Sequence, residues 1–228
     1  MSETTLSYKK TIKKKHKIDV VGAFTAQNTK WDNYSASGRG YLDDNVTAYN
    51  MGSLVDKRCL TVSTSASELQ RYSVLARVNY SYGGRYHFTL TGRADAASNF
   101  ARGHQWAFFP AAAFKWTISN EKFMKGTKSW LSDMSLRISG GRSGNDSIGR
   151  YVSQMLLTTN SSGWLFGDSF EVSYYPNRIN NPDLTWEKTD SFNVGLDLSF
   201  LKDKITVSLE GYMAYTKDLL YNMQNATI

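Results

Sequence analysis

The chain has 228 residues, 41% of them hydrophobic and 21% charged, which is enough to bury a sizeable core and excludes a wholly disordered chain. A mean hydropathy of −0.44, with no run approaching ~20 apolar residues, excludes a helical membrane protein but not a membrane barrel, whose strands alternate polar and apolar. The single Cys59 and the scattered His16, His87 and His104 exclude a disulfide framework and a Cys- or His-based metal centre, while the net charge of +7 leaves an anionic partner open.

The dominant pattern has period two. Leu6, Tyr8 and Ile12 suggest a first strand, and Ile18, Val20, Gly22 and Phe24 share one face of a second. A long connection is expected from Trp31 to about Ser67. Tyr72, Val74, Ala76, Val78 and Tyr80 then alternate with Ser73, Arg77, Asn79 and Ser81. After a tight Gly83-Gly84 turn, Tyr86, Phe88 and Leu90 alternate with His87, Thr89, Thr91 and Arg93. Phe108, Ala112, Phe114, Trp116 and Ile118 share a face; Phe109 interrupts it, and Pro110 suggests a bulge or local distortion there. Met134, Leu136 and Ile138 form the next strand. A very long connection, near 142–183, follows. Phe192, Val194, Leu196, Leu198 and Phe200 alternate with polar residues, as do Ile205, Val207, Leu209 and Met213 after a tight turn at Leu201-Lys202-Asp203.

About eight antiparallel strands of ~10 residues result, with short connections at one end and long ones at the other. Such strands suit the ~25 Å apolar band of an outer-membrane barrel, whereas soluble strands average ~5–6 residues. The expected fold class is therefore all-β: an antiparallel barrel segment, an open partial wall, occupying residues 1–228.

Motifs that would carry covalent chemistry are weak. Gly140-Gly141-Arg142-Ser143-Gly144-Asn145 lacks the Lys-Ser/Thr ending of a phosphate loop and reads as a strand end. The lysines between Lys9 and Lys17 read as a solvated turn rather than a nucleic-acid grip. His87 has no partner pattern for general acid–base work. No catalytic residue, metal, cofactor or nucleic acid is expected. The long connection near 142–183 contains Trp164, Asp168, Tyr174, Tyr175 and Arg178, candidates for stacking on and hydrogen-bonding to a substrate; packing within the loop is the competing role for its rings.

One segment changes the character of the sequence. Asn181-Pro182-Asp183-Leu184-Thr185-Trp186-Glu187, followed by Phe192-Asn193-Val194-Gly195-Leu196-Asp197, closely resembles a signature of SusC/RagA-type TonB-linked outer-membrane proteins. Gly84-Arg85-Tyr86 with Arg93, Asp95, Ser98, Phe100 and Gly103 resembles a hairpin of the same family. Trp106, Phe109, Pro110, Trp116, Ile118, Ser119, Glu121, Phe123 and Met124 resemble another element. Leu136, Arg137, Ser139, Gly141, Gly144, Asn145, Ile148, Gly149 and Tyr151 match a third, and Lys217-Asp218-Leu219-Leu220 a strand end. The matches run in family order over roughly 70–220.

The resemblance implies a barrel of about 22 strands around a plug, importing oligosaccharides or peptides, capped by a SusD-like surface lipoprotein and energised by TonB. In that frame the chain, which opens without a signal peptide and contains neither a plug nor a TonB-contacting segment, is expected to be an internal piece of the wall, unable to import or bind TonB by itself. A soluble glycan-binding β-sandwich and a small self-closing eight-strand outer-membrane barrel are the alternatives; both fit the alternation, and the strand length disfavours the first.

Overall fold

The computed structural model describes residues 1–42, 48–54, 56–167, 169–176, 178 and 180–221. Ten strands are present among them: β1 Ser2–Ile12, β2 His16–Gly38, β3 Leu60–Tyr82, β4 Tyr86–Ala97, β5 Trp106–Thr117, β6 Leu131–Asn145, β7 Leu157–Phe166, β8 Ser169–Pro176, β9 Glu187–Phe200 and β10 Ile205–Lys217. The helical pieces among the described residues are short 3₁₀ turns. Eight strands form one sheet in the order β1-β2-β3-β4-β5-β6-β9-β10, and β7 and β8 pair separately. The fold class is thus the expected antiparallel open sheet, with β1 and β10 at its two edges.

By contacts the chain divides into two units, residues 1–27 with 70–228, and residues 28–69. The smaller unit holds the far ends of β2 and β3. There Arg39 N–H donates to the Cys59 carbonyl (3.3 Å), and Arg58 grips Asp56 with two 3.0 Å hydrogen bonds that hold this carboxylate below its usual range. The connection between the two strands is shorter than the expected 31–67, because β2 runs on to Gly38 and β3 begins at Leu60. Thr61, Val62 and Thr64 are good strand formers, but Ser63, Ser65, Ala66 and Ser67 around them carry no apolar alternation to announce a strand. In the same way the connection near 142–183 starts later, since β6 continues to Asn145, and it contains the β7–β8 hairpin.

Within the larger unit the β4–β5 register is unbroken. Tyr86 faces Trp116, Gly92 faces Pro110 and Ala96 faces Trp106 without a shift, so the bulge expected at Pro110 is not formed. The proline fits because β5 pairs with β6 only from Ala111 onward, leaving residue 110 beyond that ladder, where a missing N–H costs nothing. A register shift falls instead between Leu131 and Asp133, where β6 meets β9. Gly83 and Gly84 both have positive φ (59° and 66°), which glycine adopts without strain, and with Arg85, whose N–H donates to the Tyr82 carbonyl (3.0 Å), they form a tight three-residue hairpin connection.

Alternation gives the sheet two unlike faces. On one, large apolar residues stay exposed, Leu90 at 61% and Leu209 at 59%, with Phe192 and Met213 beside them. On the other, polar side chains pair across strands. The tightly packed core is not between layers but at the end of the sheet that carries the long connections. It consists of Ala97, Phe100, Ala101, Phe109, Leu184 and Trp186, with Ile148, Val152 and Leu220 packed against it.

Candidate functional site

The family-like motifs converge on this core. Asn181 to Leu184 is a β-turn: Leu184 N–H donates to the Asn181 carbonyl (3.4 Å), Pro182 supplies the fixed φ of the second position, and the Asn181 side chain accepts from Asp183 N–H (3.1 Å). The turn delivers Leu184 and Trp186 inward. Trp186 is 5% exposed; its ring lies 4.8 Å from Phe100 and edge-on to Phe109 at 5.5 Å, and its Nε1–H donates to the Gln105 carbonyl at 2.9 Å. Glu187 accepts from Asn145 Nδ2 (3.3 Å) and from Leu220 N–H (3.1 Å), which ties β6 to the end of β10. Asn99, almost fully buried, donates to the Asp146 and Ile148 carbonyls (3.0 and 3.4 Å), and Arg71 pairs with Asp146 at 2.6 Å. Arg71, Asn99 and Asp146 were not singled out from sequence, since their partners lie far along the chain.

The polar face continues from the core down the sheet. Asp95 accepts from Arg93 Nε (2.8 Å) and from Ser73. Arg77 donates to Thr91 (3.2 Å), and Thr89 to Asn79 (2.9 Å). Arg71, Arg77, Arg93, Asp95, Phe109 and Trp186 border an open basin of about 520 Å³. Further along, Arg137 makes a fork with Asp197 (2.7 and 3.0 Å) and reaches Glu210 at 2.6 Å, so one guanidinium joins β6, β9 and β10. Gly195 leaves room for it: a Cβ there would stand 3.0 Å from Arg137 Nη2. The Gly195-Leu196-Asp197 stretch of the signature is therefore a socket for Arg137.

The apolar face ends in rings near the short turns. Tyr82, Tyr86 and Trp116 follow one another at 6.4 Å spacings, and Trp130 stacks on Phe200 at 6.1 Å. Glu121, in the β5–β6 connection, gathers this end: it accepts from Tyr86 Oη (2.6 Å) and Trp116 Nε1 (3.3 Å) and pairs with Arg85 (3.4 Å). The Tyr86 hydroxyl, more than any other neighbour, holds the Glu121 carboxyl below its ordinary range.

The hairpin candidates are distributed differently. Tyr174 and Tyr175 are exposed and face Thr159 and Thr158 of β7; as consecutive strand residues they point to opposite faces. Trp164 lies on β7 opposite Glu171. Asp168 lies outside the described residues. Arg178 donates to the carbonyls of Gln154 (3.0 Å) and Tyr151, so its guanidinium fastens the hairpin exit to the preceding turn. Among the described residues no group of three or more His, Cys, Asp or Glu is placed to hold a metal ion.

This architecture has counterparts. A family model described as TonB dependent receptor-like, beta-barrel matches residues 3–228. TonB-dependent receptor P3 of Formosa agariphila is 30% identical over 222 residues, 97% of this chain and 22% of its own length. TonB-dependent receptor SusC of Bacteroides thetaiotaomicron is 37% identical over 155 residues, 67% of this chain and 15% of its own. The solved structure of the RagAB peptide transporter superposes with a TM-score of 0.84 at 27% identity, over 97% of this chain and 24% of that one. The chain thus spans about a fifth of the length of the curated relatives it matches.

Proposed function

The chain belongs to the TonB-dependent receptor β-barrel family, of the SusC/RagA type, and on that premise we propose that its sheet forms part of the wall of an outer-membrane nutrient importer. The observation that carries this is the division of one sheet into an exposed apolar face, bounded by rings, and a face of cross-strand ion pairs. Strands β4 and β5, 12 residues each, reach ~28 Å at ~3.3 Å per residue and ~45° tilt, enough for the ~25 Å apolar band. The apolar face then meets lipid and the ion-paired face the lumen, and the β7–β8 hairpin stands on the outer side.

In this reading the solute crosses unchanged and no side chain makes or breaks a bond. The solute is an oligosaccharide or a peptide, a SusD-like lipoprotein covers the outer mouth, and TonB supplies the energy; likeness to the TonB-dependent receptor SusC supports the dependence on TonB, and likeness to the RagAB peptide transporter supports a peptide solute. The basin of Arg71, Arg77 and Arg93 lies on the lumen face at the outer end, where solute would enter. The open strand order, with β1 and β10 at opposite edges among the described residues, favours a section of a larger barrel over a self-closing one.

Cysteine labelling in intact cells tests the placement. With Cys59 replaced by serine in the intact transporter, Tyr174→Cys should react with a membrane-impermeant maleimide and Lys202→Cys only after lysis. Equal labelling of both in whole cells, or recovery of the protein without detergent, would overturn the wall assignment. Uptake of labelled oligosaccharides and peptides, with and without TonB, then separates the two solute classes.

A further inference from the structure

On the apolar face a shallow groove of about 680 Å³ crosses β3 to β9. Its floor is built from small residues in facing positions: Gly92 opposite Pro110, and Ala112 opposite Gly140. Val78 and Leu90 border one side, and Arg142 and Asp190 the other. Arg142 holds Asp190 by a fork of 2.6 and 2.9 Å. Asp190 faces Tyr215 on β10, and the Lys217 Nζ sits 5.4 Å from that ring's centroid. Lys217 forms no ion pair among the described residues yet acts electrostatically on Asp190. Two cations therefore share one carboxylate beside the groove, and since Lys188, opposite Lys217, is matched by Asp218 (3.7 Å), a unit of positive charge is left over there.

From this pairing we infer that the groove is a binding site for one membrane lipid with an anionic phosphate headgroup, an acyl chain lying over Ala112 and Gly140 and the phosphate near Arg142 and Lys217. The inference rests on the assignment of this face to lipid. Hydrocarbon is the solvent there, and a trough between Leu90 and the Arg142–Asp190 pair lets a chain contact three walls where a flat face offers one. The ion row stands beside Gly92 and Pro110, just short of the exposed Trp106 and Phe108, a depth at which interfacial rings accompany headgroups. Charge beyond neutrality then selects an anionic headgroup over a zwitterionic one.

Native mass spectrometry of the intact, detergent-extracted transporter, titrated with phosphatidylglycerol or phosphatidylcholine, decides the matter. The parent protein should hold one phosphatidylglycerol about fivefold more tightly than phosphatidylcholine, and Lys217→Gln should abolish that preference. Ala112→Leu, a substitution at an exposed position, should weaken both lipids about tenfold by filling the floor. Leu209→Phe, on the same face at β10, should leave both affinities unchanged. Equal affinity for the two lipids in the parent protein, or undiminished binding by Ala112→Leu with an unchanged melting temperature, would overturn the site. A protein that stays in solution without detergent would instead overturn the membrane reading beneath it.

Discussion

The ring of Phe109 occupies the space in which a side chain at Gly144 would begin: an ideal Cβ on residue 144 would lie 2.1 Å from Phe109 Cζ. The ring has nowhere to retreat, because it is buried against Trp186. Gly144→Ala should therefore destabilise the intact barrel by about 1–3 kcal/mol, the cost of overpacking a filled core. Gly211→Ala, where nothing lies within 4 Å of the new methyl, should be close to neutral. Urea unfolding of both variants from detergent checks this, and equal costs would show that residue 144 is not sterically restricted.

Trp186 combines a packed ring with a hydrogen bond, and two substitutions separate them. Trp186→Phe keeps most of the ring but loses the donor to the Gln105 carbonyl; about 1 kcal/mol should be lost. Trp186→Ala removes the ring from between Phe100 and Phe109 and should cost about 3–5 kcal/mol. The same unfolding experiment reads both, and equal losses would place the energy in the hydrogen bond instead of the packing.

Glu121 gives the short-turn end an acid sensitivity. Its carboxyl is held below the ordinary value of 4.5, chiefly by the Tyr86 hydroxyl, with Trp116 and Arg85 adding to it. A carboxylate with a depressed folded pKa stabilises above its unfolded pKa and loses that contribution as pH falls through the folded value. Glu121→Gln should thus lower the melting temperature at neutral pH, and the gap from the parent protein should close as pH is taken below 4.5. A gap that stays constant down to about pH 3 would refute the linkage.

What the sequence discloses here is what repeats locally. Phe192 to Phe200 and Ile205 to Met213 alternate between an apolar and a polar face, so β9 and β10 were legible residue by residue. The ends of β2 and β3 were not: there a strand is held by its backbone ladder, and Ser and Thr serve as well as leucine. The motif at 181–187 was legible as a resemblance, but not as geometry, since Trp186 bonds to a residue 81 positions away. The arginine network was hidden for the same reason. Arg71 meets Asp146 across 75 positions, and Arg137 meets Asp197 across 60. Pro110 misled because a proline inside a strand ordinarily marks a bulge, and only the length of the β5–β6 ladder shows that no hydrogen bond was lost.

Leucines at positions 209 and 184 offer the sharpest test of which solvent each face meets. Leu209 sits on the apolar face of β10, 59% exposed, whereas Leu184 is buried in the core beneath the 181–187 turn. Replacing either with arginine would be harmful, so a charge does not discriminate between a lipid-facing residue and a packed one. Truncation does. Leu184→Ala leaves a void that the rigid Phe100 and Trp186 rings fill only in part, and should cost about 2–5 kcal/mol. At position 209 fluid acyl chains flow into the space, no fixed cavity remains, and the loss should approach the bare transfer difference of about 1–2 kcal/mol. Reversible denaturation of the intact transporter from lipid vesicles measures both. A Leu209→Ala cost as large as that of Leu184→Ala would mean that β10's apolar face is covered by protein, and the lipid-facing assignment of the sheet would fail with it.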